Sequence, residues 1–128
     1  MARMLLIPLV LGGCLADETI SGYAPAGTTF VLQTINDTPF PARATLTFPQ
    51  EGSIAGRAPC NSYSGAQTVP YPWFKVETIV ATKRACPDLQ AEQSFFEALS
   101  EMTLSEVSGT TLILSNDAGQ KMIFTGQI

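Results

Sequence analysis

Three cysteines are the residues of this sequence with the most reactive chemistry: Cys14, Cys60 and Cys86. A redox centre favours two cysteines in close spacing, such as Cys-X-X-Cys, and the chain lacks that motif. Two cysteines without histidine make a weak metal site, and the chain contains no histidine. In an exported protein, we therefore expect Cys60 and Cys86 to form a structural disulfide, which would stabilise the fold by on the order of 3–4 kcal/mol.

Polar side chains surround Cys60 in the stretch from Gly56 to Gly65, which reads Gly-Arg-Ala-Pro-Cys-Asn-Ser-Tyr-Ser-Gly. Asn and Ser beside a turn usually bond to nearby backbone groups, and a tyrosine usually packs its ring. A Ser62–Lys83 dyad is the one nucleophile arrangement worth naming that needs no histidine, and nothing in the sequence places the two together. The pattern predicts a structural loop, no enzyme activity, no cofactor and no metal.

Basic residues near the two cysteines suggest a different function, the binding of an acidic ligand. Arg57, Lys83 and Arg84 could form a small patch, although three such residues are more often simply solvated. The chain as a whole has a formal charge of −4, which excludes nucleic acid as a partner. The candidate structural and interaction residues of this region are Arg57, Asn61, Tyr63, Gly65, Thr82, Lys83 and Arg84.

The N-terminus predicts export. An apolar run from Met4 to Leu11 is shorter than the roughly 20 residues that a bilayer span requires. It ends in small residues, Gly12-Gly13, which suit a cleavage site. We expect a signal peptide over residues 1–13.

Cys14 gives this leader a more specific interpretation. Leu11-Gly12-Gly13-Cys14 resembles the bacterial lipobox, in which the cysteine becomes the acylated N-terminus. The alternative is an ordinary cleaved leader with a chance cysteine. We expect palmitate-type lipidation of Cys14, then a flexible tether over residues 14–28. Because Leu15 follows the cysteine, the resemblance favours an outer-membrane anchor with the domain facing the periplasm.

Alternating apolar and polar residues predict a mainly antiparallel β domain over residues 29–128. We expect strands at Thr29–Ile35, Ala44–Phe48, Ser53–Ala58, Trp73–Ile79, Leu104–Ser108, Thr111–Ser115 and Gln120–Thr125. After Cys86 the period becomes helical, with Leu89, Phe95, Phe96, Leu99 and Met102 on one stripe. The class is therefore α+β, a strongly curved or barrel-like sheet with one α-helix.

These residues resemble the META domain of HslJ-type lipoproteins. The resemblance covers residues 29–125 and rests mainly on Cys60-Asn61-Ser62-Tyr63-Ser64-Gly65 followed by Thr82-Lys83-Arg84-Ala85-Cys86. It implies an antiparallel β fold with a helix, a location in the cell envelope and an association with heat or antibiotic stress. It implies no settled biochemical activity. The chain departs from the family at Phe30, where many members have tryptophan, and at Tyr71-Pro72-Trp73.

Three functional hypotheses follow from these observations. The first is a non-enzymatic, membrane-anchored envelope protein that acts through its surface, with a possible envelope protein as partner; its oligomeric state is open, with a monomer favoured. The second is a periplasmic inhibitor of an envelope hydrolase such as lysozyme, because an acidic protein is attracted to a basic enzyme. The third is a barrel that binds a small apolar ligand, unless Phe48, Phe74, Phe95, Phe96 and Phe124 fill its core.

Overall fold

The computed structural model describes residues 16–127. Over that range the chain forms nine β-strands and one α-helix. In chain order they are β1 Thr29–Ile35, β2 Thr38–Pro39, β3 Thr45–Leu46, β4 Ser53–Arg57, β5 Ser62–Ala66, β6 Glu77–Ala81, α1 Leu89–Glu101, β7 Leu104–Ser108, β8 Thr111–Ser115 and β9 Lys121–Gln127. The bounds of β1, β7 and β8 agree with those predicted from alternation. No helix in this part of the chain is long and apolar enough to cross a membrane.

The strands form two antiparallel sheets. One has six strands in the order β2-β1-β9-β8-β7, with β3 also paired to β1, and the other has the order β4-β5-β6. A single bridge between Thr47 and Ala55 connects them, where the chain leaves β3 and turns into β4. The predicted α+β class with antiparallel strands and one helix is therefore confirmed.

The predicted closure into a barrel is not seen. Closure requires every strand to pair on both sides. Strand β6 pairs with β5 alone and ends the smaller sheet, and β7 ends the larger one. The two sheets therefore pack together around a shared core as open sheets.

Side chains from both sheets and from α1 fill this core. Phe74, Phe95 and Phe124 are fully buried, as expected, whereas Phe48 and Phe96 are only partly buried against the cluster. Leu99 follows Phe95 by four residues and is also fully buried, so one face of α1 enters the core. The centre of the molecule is thus filled with aromatic and aliphatic side chains.

The described part of the predicted tether is packed on the domain. Ile20, in a 3-10 turn at Ile20–Gly22, is 1% exposed. The ring of Tyr23 stacks on Tyr71 with 4.3 Å between centroids, and the Tyr71 backbone N–H donates to the Glu18 carbonyl. The structure therefore differs from the sequence prediction over residues 16–28.

The central part of the chain departs furthest from the expected strands. Residues 62–66, which the sequence predicts as loop, form β5, and the predicted strand Trp73–Ile79 is wrong over residues 73–76, because β6 starts only at Glu77. The segment before β6 lies along β7 instead, where Phe74 donates its N–H to Thr103 and Trp73 makes one bridge to Leu104. Long-range pairing with β7 outweighs the local alternation of Phe74 and Val76.

Candidate functional site around the disulfide hairpin

A buried carboxylate lies at the centre of the candidate site. Glu92, in the first turns of α1, is 4% exposed. Its Oε1 accepts the backbone N–H groups of Cys60 and Asn61 at 3.1 and 2.8 Å, and its Oε2 accepts Asn61 Nδ2 at 2.7 Å. Hydrogen bonds to a charged acceptor are strong, so the helix holds the hairpin between β4 and β5 in place.

Sequence reasoning missed Glu92, although the sequence contained a signal for it. Residues 92, 95 and 99 follow the spacing of one helix face, and Phe95 and Leu99 both lie in the core. An acidic residue on an apolar face is seldom fully buried unless it has partners. The position of Glu92 therefore indicated a partner, and Asn61 provides it.

The Asn61 side chain uses its entire hydrogen-bonding capacity. Oδ1 accepts the Thr82 hydroxyl at 2.9 Å and the Arg84 backbone N–H at 2.6 Å. Nδ2 donates to the Arg84 carbonyl at 3.0 Å and to Glu92 Oε2. A carboxamide offers two donors and two acceptor lone pairs, and all four are occupied here. Asn61 thus joins the hairpin, the segment after β6 and the helix.

The expected disulfide between Cys60 and Cys86 is present, with 5.6 Å between the two Cα atoms. Cys86 lies just before α1, and its carbonyl accepts the Leu89 N–H. The disulfide and the Asn61 side chain therefore connect the same two segments, one covalently and the other by hydrogen bonds.

Tyr63 extends this structure into the core. Its hydroxyl donates to the Thr45 carbonyl at 2.6 Å, and its ring meets Phe95 and Phe96 edge-on at 5.6 and 5.3 Å between centroids. Burial raises the pKa of the Tyr63 hydroxyl well above its usual value, so the group stays neutral. A Cβ at Gly56, the cross-strand neighbour of Tyr63, would lie 2.1 Å from that same Thr45 oxygen, so only glycine fits there.

Gly65 also lies in a confined position. A Cβ there would come within 3.3 Å of the Glu77 carbonyl and 3.4 Å of the Ile54 side chain. These contacts occur where the pairing of β5 with β6 shifts register between Ser64 and Ala66. The glycine therefore allows β6 to pass close to β5.

Arg57, Lys83 and Arg84 form an exposed group that we call the basic rim. Arg57 pairs with Ser62 across the hairpin, and Ser62 in turn accepts the Thr82 N–H, so the three strands place the rim along one end of the smaller sheet. Among residues 16–127 the ion pairs are Lys75–Glu77 and Lys121–Asp37, and neither includes a rim residue.

The polar groups of the region are therefore of two kinds. Asn61, Tyr63 and Glu92 are buried and hydrogen-bond within the protein, as does the hydroxyl of the exposed Thr82, whereas the rim cations face solvent. Ser62 and Lys83 share no hydrogen bond in the described chain, and no group of three or more acidic or cysteine side chains there could hold a metal. Such an arrangement can present a rigid charged surface to a ligand.

An apolar groove lies apart from the hairpin, near the other sheet. It has a volume of about 550 Å³ and is lined mainly by Val69, Trp73, Phe74 and Met102. The Trp73 side chain is 58% exposed at its edge. The groove is thus an open surface feature rather than a cavity inside the fold.

The chain thus forms a small α+β domain of two open antiparallel sheets and one helix. A buried Asn–Glu pair holds its disulfide hairpin and gives the domain a rigid surface. The META domain family model matches residues 24–127, which is most of the chain, and the chain therefore belongs to the META domain family.

Solved structures show the same fold. An NMR structure of a protein from Burkholderia xenovorans is 23% identical, with a TM-score of 0.63, and the match covers 88% of this chain and 84% of that one. A second NMR structure is 21% identical, with a TM-score of 0.58 and coverage of 76% and 86%. A crystal structure of a DUF4847 family protein from Bacteroides vulgatus ATCC 8482 is 15% identical, with a TM-score of 0.55 and coverage of 64% and 57%. A comparison with curated proteins finds no match.

Proposed function

We propose that this META domain protein is a non-enzymatic lipoprotein of the bacterial cell envelope that acts through its surface. The observation that carries the proposal is how the hairpin uses its polar groups. Asn61 and Glu92 have the side-chain types of a catalytic site, but their hydrogen bonds join the hairpin to the helix. The groups left to meet a partner are the exposed cations of the basic rim.

Membrane attachment is the second part of the proposal. It rests on the lipobox-like Leu11-Gly12-Gly13-Cys14, and Cys14 lies outside the residues that the structure describes. The acylated cysteine would anchor the domain to the outer membrane, facing the periplasm. Several acyl chains on one cysteine would make the attachment stable. The partner would be an envelope protein with an acidic surface, and the resemblance to stress-associated relatives suggests a role under heat or antibiotic stress.

Acyl labelling tests the anchor. Cells expressing the full chain or Cys14→Ser are fed a clickable palmitate analogue and fractionated into membrane and soluble pools. We expect label and membrane recovery for the wild type and neither for Cys14→Ser, with Cys86→Ser still labelled as a control for cysteine loss in general. Unlabelled wild-type protein in the soluble fraction would contradict the anchor.

In vivo crosslinking tests the surface role. We expect Arg57→Glu and Arg84→Glu to weaken the capture of an envelope protein by the wild-type domain, because they reverse the charge of the rim. Lys121→Glu, at the opposite sheet, serves as the matched control. Equal capture by all variants would rule out the rim as the contact surface.

Inhibition of an envelope hydrolase such as lysozyme is a second candidate, favoured by an exposed aromatic side chain on a rigid scaffold. Trp73 is 58% exposed beside an apolar groove, and tryptophan is a frequent anchor in interfaces. The chain's charge of −4 would attract a basic enzyme at low salt. The purified protein should then slow lysozyme and Trp73→Ala should not; if the wild type has no effect at low ionic strength, this candidate is wrong.

A further inference from the structure

Strand β6 is an unpaired edge of the smaller sheet. The sheet order is β4-β5-β6, and within residues 16–127 β6 pairs only with β5. An edge strand presents a row of free backbone N–H and C=O groups that another strand can use. The side chains and backbone of β6 therefore decide what can pair there.

The register identifies the free backbone groups. Val80 lies opposite Ser64 and Ala81 opposite Tyr63, and the Thr82 N–H donates to Ser62 at 3.1 Å. Because antiparallel pairs alternate between hydrogen-bonded and non-hydrogen-bonded, Thr82 and Val80 direct their backbone groups toward β5. Ile79, Ala81 and Lys83 then direct theirs outward, away from the sheet.

The regular part of this edge is short. Thr78 has a positive φ of 52°, and the pairing with β5 shifts register there, so a β-bulge ends the regular ladder on the Glu77 side. A second strand can therefore pair with residues 79–83 and pass beside Glu77 without a regular ladder.

The side chains of the edge have an apolar centre and charged ends. Val80 is 64% exposed on the outer face, while Ile79 and Ala81 pack partly against the core. Glu77 lies at one end, and Lys83 and Arg84 lie at the other. The two ends thus carry opposite charge.

We propose that two copies of this chain associate through β6, antiparallel about a twofold axis at Val80. The two three-stranded sheets then form one six-stranded sheet. Ile79 of each copy pairs with Ala81 of the other through their outward backbone groups, and the two Val80 side chains meet directly on the outer face. This inference goes beyond the proposed function and does not depend on where the protein resides.

The opposite charges at the two ends of β6 favour a second copy of this chain as the strand that pairs with it. Antiparallel pairing brings Glu77 of each copy beside Lys83 and Arg84 of the other, and opposite charges across strands stabilise the pairing. The Lys75–Glu77 contact within one chain, at 3.3 Å, is exposed and therefore weak, so it does not prevent this exchange.

The neighbouring registers are less favourable. An axis at Ile79 would place the bulge at Thr78 inside the paired segment and would set Glu77 of one copy against Ala81 of the other, away from Lys83. An axis at Ala81 would pair Val80 with Thr82 and separate the two valines. Sliding one strand by an odd number of residues, which puts the axis between two residues, would set outward-facing backbone groups of one copy against inward-facing groups of the other. The axis at Val80 alone satisfies backbone, apolar and charged groups together.

The interface is small, so the association is weak and reversible, in contrast to the monomer that the sequence favours. Sedimentation velocity over a concentration series tests it with the full chain carrying Cys14→Ser, which removes the free thiol and acylation. We expect dimer to increase with concentration, and Val80→Lys to raise the dissociation constant about tenfold or more, because two cations would then meet at the axis. Ser108→Lys, at the exposed C-terminal end of β7, is the control and should leave dimerisation unchanged.

A charge reversal and its rescue by a second substitution distinguish loss of the dimer from a folding defect. Lys83→Glu should weaken the dimer, and adding Glu77→Lys to the same chain should restore it. Val80→Cys tests the register, because Cα atoms in a non-hydrogen-bonded pair lie about 4.5 Å apart, within the range of a disulfide. Mild oxidation should crosslink Val80→Cys and leave Ser108→Cys monomeric.

Three results would overturn the proposal. One is a monomer at every concentration, and the second is a dimer that Val80→Lys does not weaken. The third is failure of Glu77→Lys to restore the Lys83→Glu variant. Association only with an added extended peptide would identify β6 as an edge for a different protein, and would also count against the homodimer.

Discussion

The buried pair of Asn61 and Glu92 organises the candidate site at the scale of single residues. Four hydrogen bonds converge on the Asn61 side chain, and Glu92 accepts three N–H groups. Removing one member of such a network leaves the other buried and unsatisfied, which costs more than the lost bonds alone. The polar residues of the hairpin therefore serve stability.

Replacing Asn61 should be strongly destabilising. We expect Asn61→Ala to lower the free energy of unfolding by roughly 2–4 kcal/mol, because it leaves partners on Thr82, Arg84 and Glu92 without their hydrogen bonds. Urea denaturation followed by circular dichroism measures the change. Ser62→Ala, at the exposed neighbouring position, should change stability by less than about 0.5 kcal/mol. Equal effects of the two substitutions would show that the network contributes little.

The buried Tyr63 hydroxyl should make the free energy of unfolding depend on pH in the alkaline range. Burial raises the pKa of its hydroxyl in the folded state, whereas in the unfolded chain the pKa is about 10. Below pH 10 the Tyr63 hydroxyl keeps its proton in both the folded and the unfolded state, so the stabilisation from the neutral buried hydroxyl is fully present. Above pH 10 the unfolded state binds fewer protons than the folded state, and the free energy of unfolding falls by about 1.4 kcal/mol per pH unit for this one group.

The measurement is a set of urea titrations between pH 8 and pH 11. Tyr63→Phe should be less stable at pH 8, because the hydrogen bond to Thr45 is lost, and its stability should fall less steeply above pH 10. Tyr23→Phe, at a position that is 54% exposed, is the matched control and should keep the wild-type slope. Parallel profiles for wild type and Tyr63→Phe would contradict the buried hydroxyl as the cause.

At the scale of elements, the β4–β5 hairpin, the segment after β6 and helix α1 form one unit. The disulfide closes a separation of 26 residues, and Asn61 and Glu92 are 31 residues apart in sequence. Closing a long loop restricts the unfolded chain, which is how a disulfide stabilises in the chain-entropy account. The covalent bond and the hydrogen bonds therefore reinforce the same arrangement.

Removing the disulfide should weaken the fold and leave the architecture unchanged. We expect the Cys60→Ser, Cys86→Ser double variant to lose about 3–4 kcal/mol of stability. Circular dichroism at low temperature should still show the wild-type spectrum, because the Asn61 hydrogen bonds remain. Cys14→Ser is the matched control and should unfold like the wild type. An unchanged melting temperature in the double variant would refute a stabilising role.

At the scale of the whole molecule, one core joins the two sheets. Phe30 and Phe124 from the larger sheet, Ile54 and Tyr63 from the smaller one, and Phe95 from the helix belong to the same buried cluster. A core shared in this way cannot lose one sheet without exposing the other. The two sheets should therefore unfold together.

Cooperative unfolding can be checked with two probes. Trp73 is the single tryptophan and lies between β5 and β6, in the segment that makes one bridge to β7. We expect its fluorescence and the far-ultraviolet circular dichroism to give the same urea midpoint, as in a two-state transition. A mid-transition plateau, or two midpoints that differ, would show that the sheets are separate folding units.

The sequence by itself determined the fold class and most local elements. Alternation located β1, β7 and β8, the helical period located α1, and Cys60 and Cys86 were recognised as the disulfide pair. These features depend on near neighbours in the chain, or on a residue type with one plausible partner, so local patterns are sufficient to predict them.

Only the tertiary structure decided where distant segments meet. It showed that Glu92 on the helix binds the Asn61 hairpin, that residues 72–74 lie along β7, and that residues 16–28 pack on the domain. It also leaves the two sheets open, with β6 as an unpaired edge, where the sequence predicts a barrel-like sheet. Each of these outcomes depends on competition between long-range partners for the same backbone groups and the same core space, and a local pattern carries no information about that competition.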